Sequence, residues 1–288
     1  MRYNNNMIKI LAKRLASPKL WQNLRILRKY WNRRKKYWHE TFPLKQLALF
    51  LKVAAKDIIK TTAPLDYAAL DIYMDIESPE QLLRLNACHK EPETVNWIES
   101  RLKPNDIFYD IGANVGAYSF IAWAKTKGQC KAFAFEPSFS TFAALNKNII
   151  LNHATRCITP IFAALGEKTE MREFHYQSLD PGAASHFPEK PAASILMLNY
   201  SLDDFINIFG IPPPTHIKLD VDGFELEIIK GAKTALKNPS LKSILIEINE
   251  ALPTHQEILM LLESAGLKFC SKHRRLSKVI FNYIFTRY

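Results

Sequence analysis

Apolar positions recur along the chain with two periods, and the switches between them divide it into regions. Ser17-Pro18 reads as a helix N-cap followed by proline at the first helical position, and Leu20, Leu24, Leu27, Trp31 and Trp38 then recur at helical spacing. Leu44, Leu47, Leu51, Ala54 and Ile58 make a second helical stripe that begins near Thr41 and Pro43. Around Pro64 this pattern ends, and Leu70–Ile76 reads as a short strand closed by a polar turn at Ser78-Pro79. From residue 90 the two periods alternate. Helices are expected over Glu93–Leu102, Ala117–Lys125, Phe139–Leu151, Glu225–Leu236 and Gln256–Ala265. Strands are expected over Ile107–Asp110, Lys131–Phe135, Cys157–Phe162, His216–Val221, Ser243–Ile248, Leu267–Cys270 and Val279–Phe285. A polar stretch up to about residue 193 reads as irregular. Strands alternating with helices predict an α/β domain over residues 66–288, a parallel sheet covered by helices, behind a helical extension over residues 1–65.

Charge follows the same division. Of the net +11, residues 1–60 hold 16 Lys and Arg against only Glu40 and Asp57, a local +14, so the rest of the chain sums to −3. The basic character therefore belongs to the extension. Two readings of its stripes stay open: packing on the core as a helical subdomain, or attachment to anionic lipid or a polyanionic partner. The second draws on Arg33-Arg34-Lys35-Lys36, flanked by Trp31, Tyr37 and Trp38. At 288 residues and 48% hydrophobic, the chain can bury a sizeable core and is not a disordered tail. Cys88, Cys130, Cys157 and Cys270 form no Cys-x-x-Cys pair, which argues against a zinc site and a disulfide framework. No apolar run approaches the roughly 18 residues that span a bilayer, and Lys9, Lys13 and Arg14 interrupt the earliest one. The expected compartment is the cytoplasm, with peripheral attachment to the inner face of the membrane as an option.

The candidate chemistry begins where the first strand of the alternation ends. Asp110-x-Gly112-x-Asn114-x-Gly116 passes directly into a helix, and glycines there let backbone amides approach a ligand at a helix N-terminus. A dinucleotide fingerprint would need glycine at Asn114, and no Gly-x-x-x-x-Gly-Lys is present, so the loop suits a polar ligand without phosphate. S-adenosylmethionine fits, because its amino and carboxylate groups can be held by an acid such as Asp110 and by turn amides. A tight turn without a ligand is the bland alternative. The next strand ends in Glu136-Pro137, 24 residues beyond Gly112, where an acid can accept hydrogen bonds from both ribose hydroxyls. Alone, Glu136 would read as a solvated strand-end carboxylate; after the glycine turn, the ribose role gains weight. Ala163, Ala164 and Leu165 close the third strand, either flanking an adenine ring or as sheet-end packing.

Ligands of open α/β sheets bind outside the carboxyl ends of the strands, where Asp220, Asp222, Glu247 and Asn249 should converge. Asp220 interrupts an apolar strand, and a buried carboxylate needs a partner or a function. Lys218, two residues earlier on the same face, offers a structural ion pair. The functional alternative is a general base, or a carboxylate that positions the acceptor for in-line displacement. All four are oxygen ligands of the kind that hold Mg²⁺ or Ca²⁺, but their spacing does not demand a metal and none is assigned. His186 and His216 rank behind Asp220 as bases.

The ordered set Asp110-Ile-Gly-Ala-Asn-Val-Gly116, Phe135-Glu-Pro137, Ala163-Ala-Leu-Gly166, Lys218-Leu-Asp-Val-Asp-Gly-Phe-Glu225, Lys230-Gly-Ala232 and Ile246-Glu-Ile248 resembles the FkbM family of S-adenosylmethionine-dependent methyltransferases. Each segment is modest; their order over residues 66 to 288 is specific. The resemblance implies a Rossmann-like class I methyltransferase fold, a seven-stranded sheet with its last strand antiparallel and helices on both faces. It implies transfer to a hydroxyl of a sugar, glycan or other small molecule. It also implies cofactor roles for Asp110, Gly112, Asn114, Gly116 and Glu136, with Pro137 and Ala164 beside them, and active-site roles for Asp220, Asp222 and Glu225. The family commonly has glutamate where this chain has Asp222, which leaves any role needing the longer side chain in doubt. Gly182-Ala-Ala-Ser-His186 is similar to the family's small-residue segment before the fourth strand and could form a lid. Two other functions compete. An RNA methyltransferase would use the basic arm, but the Asn/Asp-Pro-Pro-Tyr/Phe sequence of base-nitrogen enzymes is missing from the fourth strand. A non-catalytic S-adenosylmethionine-binding module would have no physical need to keep Asp110, Gly112, Gly116 and Glu136 together.

Overall fold

The computed structural model describes residues 61–176, 178–183, 193–275 and 277–287, together with Arg25, a helical residue. The two N-terminal stripes, and His186 with most of its small-residue segment, lie outside the described residues. In chain order, β1 (Thr62–Pro64) and β2 (Tyr73–Asp75) pair antiparallel and lead to three helices, α1 (Pro79–Arg84), α2 (Ala87–Lys90) and α3 (Pro92–Arg101). The alternation follows as β3 (Ile107–Ile111), α4 (Ala117–Lys125), β4 (Lys131–Phe135), α5 (Phe139–Leu151) and β5 (Ile158–Ile161). Next come β6 (Ala164–Leu165), β7 (Glu170–Tyr176), β8 (Ala193–Tyr200) and α6 (Leu202–Phe209). The chain continues through β9 (His216–Leu219), α7 (Glu225–Lys230), α8 (Lys233–Lys237), β10 (Ser243–Asn249), α9 (Thr254–Ser264), β11 (Lys268–Arg274) and β12 (Ile280–Thr286).

Seven strands form one sheet in the order β11-β12-β10-β9-β3-β4-β5. Pairing is parallel from β10 to β5, while β12 runs antiparallel to both β10 and β11. This is the Rossmann-like arrangement that the resemblance implies, a seven-stranded sheet with β12 antiparallel to its neighbours. Its strands read as continuous apolar runs because both faces are covered. Phe108, Ala132, Ala134 and Leu245 pack on one side with Phe120, Ile121 and Ile98. Tyr109, Ile111, Phe135, Ile217 and Ile246 pack on the other with Ile228, Leu262 and Phe205. The chain runs outward from β3 to β5 and then comes back to β9 on the opposite side of β3, so the strand order reverses between β3 and β9. A crevice opens at such a reversal, at the carboxyl ends of the strands.

Three features differ from the sequence-based expectation. The stretch before residue 193 holds β7, which joins β6 and β8 in a separate three-stranded sheet with Met171 opposite Leu198 and Arg172 opposite Met197. The single helix expected over Glu225–Leu236 breaks into α7 and α8 at Gly231, where a side chain would meet the Gly166 carbonyl oxygen at 2.1 Å. Helices α1, α2 and α6 carry too few apolar turns to stand out, yet the caps of α1 and α6 are written locally. Ser78 and Gln81 form a reciprocal capping box on α1 with Pro79 at its start, and Ser201 accepts from the Asp204 amide at the head of α6.

Candidate active site

The loop after β3 is set by close approach. Gly112 has φ +80°, and a Cβ there would lie 1.8 Å from the Asp220 carbonyl oxygen, so the end of β9 passes directly against the turn. Gly116, at φ +96°, caps α4 against Leu145 and Phe120. Every amide from Gly112 to Gly116 already has a protein acceptor. Those of Gly112 and Ala113 donate to the Phe135 carbonyl, at 3.1 and 2.9 Å, and that of Gly116 to the Ala113 carbonyl at 2.8 Å. The Asn114 amide donates to Glu136 Oε2 at 2.9 Å and the Val115 amide to Asn114 Oδ1 at 2.9 Å. The loop is thus a finished wall rather than a nest of open donors.

Two cavities meet at this wall. The first, about 1100 Å³ with its solvent-open part included, is floored by Ile111, Gly112, Asn114, Glu136, Pro137 and Ala163–Leu165. The three-stranded sheet closes over it with Arg172, Phe174, Met197 and Asn199. Glu136 is buried, and burial, partly offset by the Ser138 and Asn114 amides, raises its carboxyl to about 7. The second cavity, about 1150 Å³ on the same measure, is lined by Arg84 of α1, Lys90 of α2, Glu91, Tyr118, Lys218, Glu247 of β10 and Arg275. The two share Gly112, Asn114, Asp220 and Asp222.

Charges beneath the junction form a chain of pairs. Lys218 is buried with its Nζ 3.7 Å from Asp110 Oδ1 and 3.4 Å from Asp220 Oδ2, and it lies 5.0 Å over the Tyr118 ring. Burial opposes the charge on Lys218, but Asp220 and Asp110 outweigh it and raise its pKa. Burial likewise pushes Asp220 up, and Lys218, Arg275 and Lys90 more than reverse that, holding it ionised. Asp110 takes Ser119 Oγ at 2.7 Å and is raised by burial. Asp220, Asp222 and Glu247 bring one carboxylate oxygen each within 4.8 Å of one another. Glu247 is pushed up to about 8, first by burial and then by Asp220, against the pull of Arg275. Arg275 bridges Glu247, at 3.5 Å, and Glu91. Lys218 and Arg275 supply the positive charge beside this acidic cluster.

Of the residues the sequence singled out, Gly112, Asn114, Glu136, Pro137 and Ala164 line the first cavity, and Asp220 and Asp222 line both. Asp110 and Gly116 stand behind the wall. Glu225 lines neither cavity; it accepts from the Val221 and Gly223 amides at 3.3 and 3.1 Å, and burial raises it to about 7. It braces the turn in which Asp222 and Gly223 take positive φ, 55° and 109°. Asn249 accepts from the Ala251 amide and is outside both cavities. His216 sits at the amino end of β9, the pole away from the crevice, bonded to Ser243 Oγ at 2.7 Å and Asp106 at 3.3 Å. Burial lowers it to about 4, so it is a neutral core histidine there rather than a base. Arg84, Glu91, Arg172 and Arg275 were not singled out, and no local pattern marks them.

Comparison with known proteins gives a matching family model, described as a methyltransferase FkbM domain, over residues 110–269. The hexuronic acid methyltransferase AglP of Haloferax volcanii is 24% identical over 192 residues, 67% of this chain and 76% of that protein. The methyltransferase sdnD of Sordaria araneosa is 23% identical over 197 residues, 58% of this chain and 75% of its own length. Among solved structures, a methyltransferase FkbM of Methylobacillus flagellatus KT aligns at TM-score 0.49 and 19% identity, over 73% of this chain and 56% of that one.

Proposed function

This chain belongs to the FkbM methyltransferase domain family, and from that premise we propose that it moves the methyl group of S-adenosylmethionine onto a hydroxyl of a sugar, glycan or other small molecule. Use of S-adenosylmethionine follows from the family. The observation that carries the finer reading is the pair of cavities joined at Gly112, Asn114, Asp220 and Asp222. One holds the donor, the other the acceptor, and the junction is where transfer occurs.

In the donor cavity, Glu136 is the ribose acceptor at the end of β4; its two braced oxygens keep lone pairs for hydroxyl donors. The side chains of Ala163, Ala164 and Phe174 offer the apolar slot an adenine needs. Bound there, the donor supplies a methyl group made electrophilic by its sulfonium. At the junction the chain's task is positioning and proton removal. Asp220, kept ionised by Lys218, accepts the acceptor hydroxyl's proton, and Asp222 on the strained turn orients that hydroxyl. Glu225 holds the turn. A saccharide acceptor is supported by the relative named a hexuronic acid methyltransferase. Incubation with labelled S-adenosylmethionine and fractionated cell extracts tests the reading: label should enter saccharide or small-metabolite fractions, and label confined to RNA would overturn it.

The basic arm supports a further partner. No helix among the described residues is long and apolar enough to cross a membrane. With 16 Lys and Arg among residues 1–60 and interleaved Trp31, Tyr37 and Trp38, the arm suits peripheral contact with an anionic membrane. Flotation with anionic liposomes should require residues 1–60; retained flotation after their deletion would remove the arm from this role.

A further inference from the structure

A methyl donor of this kind carries an α-carboxylate, and the loop nearest to it has no free amide to offer between Gly112 and Gly116. A carboxylate brought into a partly dry crevice needs a charged or donor-rich partner. The candidates on the second cavity's wall are Lys218, Arg275, Lys90 and Arg84. Lys218 is committed to Asp110 and Asp220, Arg275 to Glu91 and Glu247, and Lys90 lies 3.5 Å from Glu91. Arg84 differs. Its Nε and Nη2 both donate to the Gly182 carbonyl oxygen, at 3.1 and 3.0 Å; Glu136 feels its charge from a distance, and no carboxylate among the described residues lies within 4 Å of it. A guanidinium has five N–H donors, so three remain after these two bonds.

Its position is as informative as its valence. The same Gly182 oxygen also takes the Asn114 side-chain amide at 3.4 Å, which sets the guanidinium beside the residue where the two cavities join. Gly182 is in turn fixed: its amide donates to Thr141 Oγ1 at 3.1 Å, and a Cβ on it would meet Gln81 at 3.1 Å. Ser78 Oγ holds the preceding Pro181 carbonyl at 2.6 Å. Arg84 is therefore aimed by a pinned carbonyl, at the end of a capped helix, with donors left over.

We propose that Arg84 binds the α-carboxylate of S-adenosylmethionine, so that α1, outside residues 110–269 of the family match, completes the donor site. This rests on the donor assignment made above. Arg84 is a binding residue and leaves the transfer chemistry to the junction.

Calorimetric titration of the full chain and of Arg84→Gln and Arg84→Lys tests it with four probes. S-adenosylmethionine and S-adenosylhomocysteine carry the carboxylate. Decarboxylated S-adenosylmethionine keeps the amino group and lacks the carboxylate, and 5′-methylthioadenosine lacks both. Arg84→Gln should weaken the first two about 10- to 100-fold, as loss of a charge-assisted pair does. The other two should bind within about twofold of wild type, and Arg84→Lys should fall between. Equal loss for all four probes makes Arg84 a structural prop of the Gly182 turn, and no loss for any probe frees it for an acidic acceptor; either result overturns the inference. If wild type binds none of the four, the donor assignment itself falls and takes this inference with it.

Discussion

The two cavities are built by different means. The donor cavity is made mostly of strand ends and the turns that follow them: Gly112 and Asn114 after β3, Glu136 and Pro137 after β4, Ala163–Leu165 after β5. Glu136 there is braced by the amides of Ser138 and Asn114, while Arg172 of the covering sheet pairs with Glu227. The cavity proposed for the acceptor gathers Lys90 and Glu91 from before the sheet, Glu247 from β10 and Arg275 from the end of β11, and it shares its wall with Arg84, assigned above to the donor's carboxylate. Its polar groups are many, and they hold one another across long stretches of chain. In such a network no member is independent: removing one partner of a buried pair leaves the other uncompensated, so substitutions there act on the whole set.

That contrast can be broken at graded cost. Gly112→Ala acts on both halves at once, because its new methyl group would occupy the space of the Asp220 carbonyl at 1.8 Å. Such a clash at positive φ should cost more than about 4 kcal/mol, and thermal melting should find little folded protein. Asp220→Asn should act on one half. Transfer to a hydroxyl acceptor should fall about 10²- to 10⁴-fold, as for loss of a general base, while donor affinity changes only a few-fold. A parallel collapse of donor binding would mean that the halves are not separable.

Folding stability should carry the signature of the acceptor side. Glu247 is raised to about 8, and Glu136 and Glu225 to about 7, so the folded chain holds protons that the unfolded chain has released above about 4.5. For a raised pKa, stability is fully present below the unfolded value and is lost as pH rises through the folded one. His216, lowered to about 4, works the other way, but only up to its unfolded value near 6.5. Between pH about 6.5 and 8 these carboxyls dominate, and stability should fall by about 1 to 3 kcal/mol, with the largest single share from Glu247. Melting curves across that window should flatten in Glu247→Gln; an unchanged slope would contradict the assignment. The smallest effect belongs to the donor side, where Glu136→Gln should weaken S-adenosylmethionine about tenfold and leave acceptor selectivity alone.

The same division explains what could be read in the sequence. β3, β4, β9 and β10 are buried on both faces, so their apolar runs announced them to within about two residues. The donor motifs were legible because each lies in one turn. β7 and β8 were not, since most of their side chains are exposed or half-buried, which breaks the alternation that marks a strand. The break at Gly231 was hidden because one glycine inside an apolar helical pattern does not by itself end it, and the close approach of the Gly166 carbonyl, which leaves no room for a side chain there, shows only in the fold. Arg84 and Arg275, 191 positions apart, became partners in one cavity only through the sheet order. Asp110 looked like a ligand contact in the sequence, and in the fold it anchors Lys218 and Ser119 under the loop.

The cavity ending at Glu136 is proposed to hold the methyl donor. Calorimetric titration of the full chain with S-adenosylmethionine and S-adenosylhomocysteine tests it most directly. Saturable one-to-one binding in the micromolar to low-millimolar range, weakened in Glu136→Gln, is the predicted result. No binding of either compound in that range, or binding indifferent to Glu136, would contradict it.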